Sequence, residues 1–103
     1  MSGSAPLFLV HLVYTVPFDR VEPHLADHRA YLDRLVEGGS LLLSGPLVPR
    51  TGGLLLISAS DRDAVDGMLS ADPYARAGVA RCEVMEFQPV KAAPPFSILL
   101  GKG

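Results

Sequence analysis

The chain has 103 residues, 49% of them hydrophobic and 19% charged, with a formal net charge of −2; these are the proportions of one globular domain with a modest core, not of a disordered segment. Its 9 Lys and Arg are scattered rather than clustered, which excludes the basic face that nucleic acid demands. The single cysteine, Cys82, excludes an internal disulfide and a multi-cysteine metal site, and its prior is that of a small strand residue rather than a nucleophile.

The start, MSGSAP, has no basic region and no long apolar region, so it reads as a loose leader over residues 1–6 and not as a signal peptide. No apolar run reaches the ~20 residues needed to span a bilayer, and the cytoplasm is the default address. Phe8 to Thr15, FLVHLVYT, is rich in β-branched and aromatic residues and predicts a first strand, closed by Pro17. Asp19 with Glu22 three residues on suggests a capping box, and Pro23 fits only a first turn. From about Glu22 to Glu37 the apolar spacing predicts a helix, stopped by Gly38-Gly39. SLLLS, Ser40 to Ser44, predicts a short second strand ended by Gly45-Pro46. The turn LVPRTGG leads to a third strand, Leu54 to Ala59. Ser60 is the expected cap of a second helix starting at Asp61, with Ala64, Val65, Met68 and Leu69 as its apolar stripe. The stretch ADPYARAGV then precedes a fourth strand, Val79 to Phe87, and residues 89–103 form a tail of no assigned shape.

The order βαββαβ predicts an α+β, ferredoxin-like domain: a four-stranded antiparallel sheet with helices on one face. In the first strand both alternating sets are mostly apolar, Phe8, Val10, Leu12 and Tyr14 against Leu7, Leu9, His11 and Val13. An open face in water alternates with polar residues, and this one does not. A second copy of the sheet is the cheapest cover, so a homodimer is expected.

Among residues able to carry chemistry, His28 stands out by phase. Val21, Leu25, His28, Leu32 and Leu35 form one stripe of the first helix, the core-facing one. An imidazole there needs a hydrogen-bond partner or costs about 1–3 kcal/mol. A carboxylate is the natural partner, because it fixes the tautomer and raises the basicity of the other ring nitrogen. By phase alone a structural histidine with a buried partner is the simpler reading and a catalytic one the alternative. His24, four residues earlier, makes HxxxH without the intervening Glu or a third ligand, so no metal site is assigned. His11 reads as a packed or pocket-lining residue. No nucleophile elbow and no phosphate loop is present.

HRAYLDRLVEGGSLLLSGP followed by GGLLLI and ADPYARAGV resembles the YCII-like family of small dimeric α/β proteins, over nearly the whole domain up to about Phe87. The resemblance implies a ferredoxin-like fold that dimerises into an α/β barrel, with the helical histidine beside the aspartate of the D-P motif at a pocket mouth. Carried over, these are His28 and Asp72. On this reading Asp72 ends the second helix with its side chain aimed at His28, Pro73 stiffens the turn, Tyr74 packs or lines the pocket, and Gly78 frees the backbone to enter the last strand. Ser44 departs from a position often small and apolar in the family and offers a hydroxyl to a ligand or a turn. His11, Tyr14, Ser44 and Tyr74 complete the expected substrate contacts. The resemblance implies a cofactor-free enzyme doing general acid/base chemistry on a small, aromatic or enolisable metabolite, in the manner of an isomerase, lyase or dehydrochlorinase. The competing expectation is a non-catalytic module of the same fold that binds a small ligand or a partner protein.

Overall fold

The computed structural model describes residues 6–100, so most of the predicted leader lies outside the described residues. The chain forms strand β1 (Leu7–Tyr14), helix α1 (Phe18–Val21), a 3-10 turn (Glu22–His24), α2 (Leu25–Glu37), β2 (Leu41–Pro46), β3 (Gly52–Ser58), α3 (Arg62–Ser70), α4 (Pro73–Ala77), β4 (Ala80–Phe87) and a 3-10 segment (Pro94–Leu99). The four strands order as β2-β3-β1-β4 with every neighbouring pair antiparallel, which is the ferredoxin-like arrangement.

Three local expectations need correcting. The first helical segment begins at Phe18, four residues earlier than its periodicity indicates, with Pro17 at the cap position and no side-chain cap bond. The Asp19–Glu22 capping box therefore does not form; Pro23 has no N–H, and the chain passes it through the 3-10 turn. The cap of α3 is Asp61, whose Oδ1 accepts the Ala64 N–H at 2.9 Å, and not Ser60. Asp72 does not end α3. It opens a separate helix, α4, because an aspartate followed by proline combines an N-cap acceptor with a residue pre-set for the first helical position. Gly78, at φ 71°, closes α4 in the left-handed conformation that side chains disfavour, and the strand follows at Ala80.

The sheet has one covered and one uncovered face. Phe8, Val10 and Leu12 of β1 with Leu55 and Ile57 of β3 are buried against Val21, Val65, Leu69 and Tyr74. Tyr31 Oη donates to the Met68 carbonyl at 2.9 Å, tying α2 to α3 above this core. On the other face, Leu43, Leu56, Leu9 and Met85 align as one cross-strand row. Leu43, Leu54, Met85 and Phe87 are exposed there. Among the described residues no helix is long and apolar enough to cross a membrane.

A β-bulge decides which side of β2 faces the helices. Leu41 pairs with Ile57, but the register then slips so that Leu43 pairs with Leu56 and Ser44 with Leu55. Without the extra residue, strict alternation would turn Ser44 outward; with it, both Leu41 and Ser44 lie on the covered face. The bulge is thus what brings Ser44, still exposed, to the helix side of the sheet, where it lines a pocket.

Candidate active site

His28 lies on the buried stripe of α2 and Asp72 at the start of α4, 44 residues apart in sequence, and their side chains meet. His28 Nδ1 donates to Asp72 Oδ1 at 2.8 Å, with both side chains almost wholly buried. The same Asp72 oxygen accepts the Tyr74 N–H at 2.9 Å, so the cap of α4 and the partner of the imidazole are one atom. The Tyr74 ring stacks on the His28 ring with centroids 3.8 Å apart and planes 4° from parallel. A hydrogen bond in the ring plane and a stacked ring across it leave the imidazole little freedom. With the proton on Nδ1, the lone pair of a neutral ring is on Nε2.

His28 faces a pocket of about 280 Å³, near the lower end of the range for small-molecule sites. Its wall includes Tyr14 from β1, Ser44 from β2, Tyr74 from α4, Leu25 and Leu32 from α2, and Arg50 from the β2–β3 loop. Gly45, Gly52 and Gly53 form part of the lining, where a side chain would leave less room. At Gly52 the constraint is absolute, since a Cβ would stand 1.9 Å from the Leu12 carbonyl oxygen. Asp72 itself does not line the pocket and acts only behind His28.

Among the expected substrate contacts, Tyr14, Ser44 and Tyr74 reach this pocket. His11 does not, and its placement corrects the sequence expectation. Strand side chains alternate, so His11 and Tyr14, three residues apart on one straight strand, point to opposite faces. His11 sits on the uncovered face and pairs through Nδ1 with Glu83 Oε1 at 3.1 Å. Arg50 went unremarked in the sequence because loop residues carry no periodicity; only its place in LVPRTGG, next to the glycines, offered a signal. Arg50 Nε donates to Tyr14 Oη at 3.3 Å, and its guanidinium carbon lies 4.5 Å from the Phe18 ring centroid.

The Tyr74 hydroxyl and the Cys82 thiol are in their neutral forms at physiological pH. Burial pushes the Tyr74 hydroxyl up to about 12, with the neighbouring Tyr14 adding to it. The Cys82 thiol rises to about 11, chiefly from burial and then from the Asp72 charge, which removes it as a nucleophile. His24 falls in the 3-10 turn before α2. Among the described residues no group of three or more His, Cys, Asp or Glu side chains is placed to hold a metal ion.

Comparison with known proteins adds the family. The YCII-related domain profile matches residues 7–88, that is, every strand and helix from β1 through β4. The chain belongs to the YCII-related domain family. A solved structure of 5-chloro-2-hydroxyhydroquinone dehydrochlorinase from Burkholderia phenoliruptrix, in complex with 2,5-dihydroxybenzoquinone, superimposes with a TM-score of 0.70 and 25% identity over 80% of this chain and 93% of that one. No match is found among the curated proteins. A member of this family with the same fold is therefore an enzyme acting on a small molecule.

Proposed function

We propose that this chain is an enzyme that needs no cofactor and uses His28 as a general base, oriented by Asp72, on a small aromatic or enolisable metabolite. The observation that carries the reading is the buried 2.8 Å His28–Asp72 hydrogen bond behind an imidazole that lines a pocket. Asp72 holds the proton on Nδ1, so Nε2 is the basic atom. Nε2 takes a proton from a carbon next to a carbonyl, or from a phenol. The electron pair left behind moves into the carbonyl to give an enolate, or stays on the phenolate oxygen. The imidazolium is stabilised by the Asp72 carboxylate. Returning the proton to a different carbon completes an isomerisation; expelling a leaving group from the adjacent carbon completes an elimination. The related dehydrochlorinase supports the second outcome, since its name describes removal of chloride from a chlorinated hydroxyhydroquinone. Tyr14, Ser44 and Tyr74 are the proposed hydrogen-bonding contacts to the substrate oxygens.

The same reading takes the working unit to be a homodimer whose uncovered sheet faces meet. The apolar row Leu43, Leu56, Leu9 and Met85 supports it, because a monomer in water rarely leaves so continuous an apolar face open.

The test is turnover, followed by absorbance, on a panel of chlorinated and unchlorinated hydroxyhydroquinones, enol-lactones and β-keto acids. Wild type is compared with His28→Ala. Conversion of at least one compound, lost in a variant that remains folded at the assay temperature, is the expected result. Equal turnover in both proteins overturns the base assignment. Binding without conversion anywhere on the panel favours a ligand-binding module instead.

A further inference from the structure

We propose that Arg50 is the specificity-determining residue of this pocket and that the ligand it selects is a small organic oxyanion, a carboxylate or phenolate on a single ring. The inference rests on the pocket being the ligand site, as above, but not on any turnover there.

Arg50 enters the pocket wall from the β2–β3 loop, and its contacts use little of its donor capacity. One of the guanidinium N–H groups, on Nε, reaches Tyr14 Oη at 3.3 Å, and the planar group lies against the Phe18 ring at 4.5 Å. No carboxylate among the described residues forms an ion pair with it. The terminal nitrogens thus keep a pair of parallel donors whose geometry matches a planar oxyanion. The Phe18 contact and the tyrosine bond restrain the group beforehand, so less rotamer freedom remains to be lost when an anion arrives.

The rest of the lining is consistent in sign. The ionisable cation-forming side chains on it are His28, Arg29 and Arg50, and no Asp or Glu is among the lining residues. Asp72 offsets His28 from behind, but among the described residues no carboxylate pairs with Arg29 or Arg50. Two such guanidinium groups on the wall favour a negative ligand over its neutral isostere. A second, independent sign is the Tyr74 hydroxyl. It is buried without a hydrogen bond of good geometry, although Tyr14 and Arg50 lie close enough to make weak polar contact with it. A buried hydroxyl so poorly bonded is costly enough to need an occupant, and an oxyanion held by Arg50 supplies an acceptor beside it. Arg50 as no more than a lid over Phe18 explains the stacking. It does not explain terminal nitrogens without an ion pair beside a buried hydroxyl without a well-formed hydrogen bond.

The test is isothermal titration with a matched pair of probes, 4-hydroxybenzoate and its neutral isostere 4-hydroxybenzamide, together with 2,5-dihydroxybenzoquinone. Proteins are wild type, Arg50→Gln, Arg50→Lys and His28→Ala, each checked by melting temperature. Wild type is expected to prefer the carboxylate over the amide by about 10- to 100-fold, the scale of a charge-assisted hydrogen bond. Arg50→Gln should erase the preference, Arg50→Lys should restore part of it, and His28→Ala should keep most of it. Raising the salt concentration should weaken the carboxylate and leave the amide unchanged. Equal affinity for both probes in wild type, an undiminished preference in Arg50→Gln, or no binding of any of the three probes overturns the proposal. An Arg50-dependent preference in a protein without turnover leaves this inference standing and removes the general-base reading, so the two fail separately.

Discussion

His28 and His11 each hold a carboxylate on Nδ1, at 2.8 Å from Asp72 and 3.1 Å from Glu83, and little else about the two pairs is alike. The side chains of the first pair are 10% and 4% exposed, those of the second 35% and 51%. Water and salt screen the outer pair, and Glu83 divides its attention with Arg81 at 2.7 Å. The inner pair has no such competition. Its carboxylate is fixed by the Tyr74 N–H and its ring by the Tyr74 stack. Identical functional groups thus become a buried, rigidly positioned pair in one place and an ordinary surface contact in the other. Environment separates them, not chemistry, and the sheet is the partition.

Activity is the harshest way to break the comparison. If the inner pair works as a unit, His28→Ala lowers turnover by roughly 10²–10⁴. Asp72→Asn, which keeps an acceptor for both N–H groups but lacks the charge, loses much of the same rate. The double variant is then little worse than His28→Ala, because residues acting together are not additive. Glu83→Gln leaves turnover unchanged. A rate loss from Glu83→Gln equal to that from Asp72→Asn dissolves the distinction between the pairs.

Stability comes next. Asp72→Ala strips the acceptor from two buried donors, His28 Nδ1 and the Tyr74 N–H, and removes the cap of α4. Losses of this kind sum to about 3 kcal/mol, which for a chain of this size lowers the melting temperature by more than about 10 °C. Calorimetry on Asp72→Ala and Asp72→Asn separates the lost acceptor from the lost charge. A fall of under 2 °C in the alanine variant means that the inner pair does not hold α4 to α2.

These contrasts were partly legible in the sequence. The strand and helix order followed from alternation and helical spacing, and the stripe through His28 marked a polar group facing the core. What misled was one-residue geometry. Parity alone separates His11 from Tyr14, yet β1 is apolar on both sides and offers no polar face by which to orient the set. The bulge at Leu42 was invisible because SLLLS reads equally well in either phase, so the inward turn of Ser44 came only with the register. The D-P pair follows an amphipathic helix and so reads as its end, although an acceptor followed by proline is the signature of a helix start. Arg50 sits on a loop, where no periodicity points anywhere.

Association sharpens the comparison from the outer side. If two uncovered faces meet, His11 and Glu83 leave bulk water while His28 and Asp72 are unaffected. Sedimentation at micromolar concentration is expected to give about twice the chain mass of 11.0 kDa. Leu9→Glu, placing a charge in the middle of the apolar row, should weaken the dimer by at least about tenfold. A wild-type monomer at that concentration removes the dimer and leaves the outer pair as exposed as it is in the single chain.

The smallest expected effect belongs to the outer pair itself. Glu83 is held below the usual carboxylate range first by its hydrogen bond to Arg81 and only then by the one to His11. Removing the lesser partner in His11→Ala should therefore leave Glu83 still depressed, as followed by side-chain NMR titration. The sign fixes where any stability appears. A carboxylate lowered on folding contributes above its unfolded value and loses the contribution as pH falls through the folded one. A difference between wild type and His11→Ala is accordingly expected near neutral pH, where Glu83 is fully ionised, and should vanish once the medium is acid enough to protonate it. Because the carboxylate is open to solvent and the contact is screened, that difference should not exceed about 2 °C in melting temperature. In the Leu9→Glu monomer it should shrink further as water gains access. A loss of 5 °C or more in His11→Ala, persisting in the monomer, would mean that the outer pair is structural in its own right, and that burial is not what separates it from His28 and Asp72.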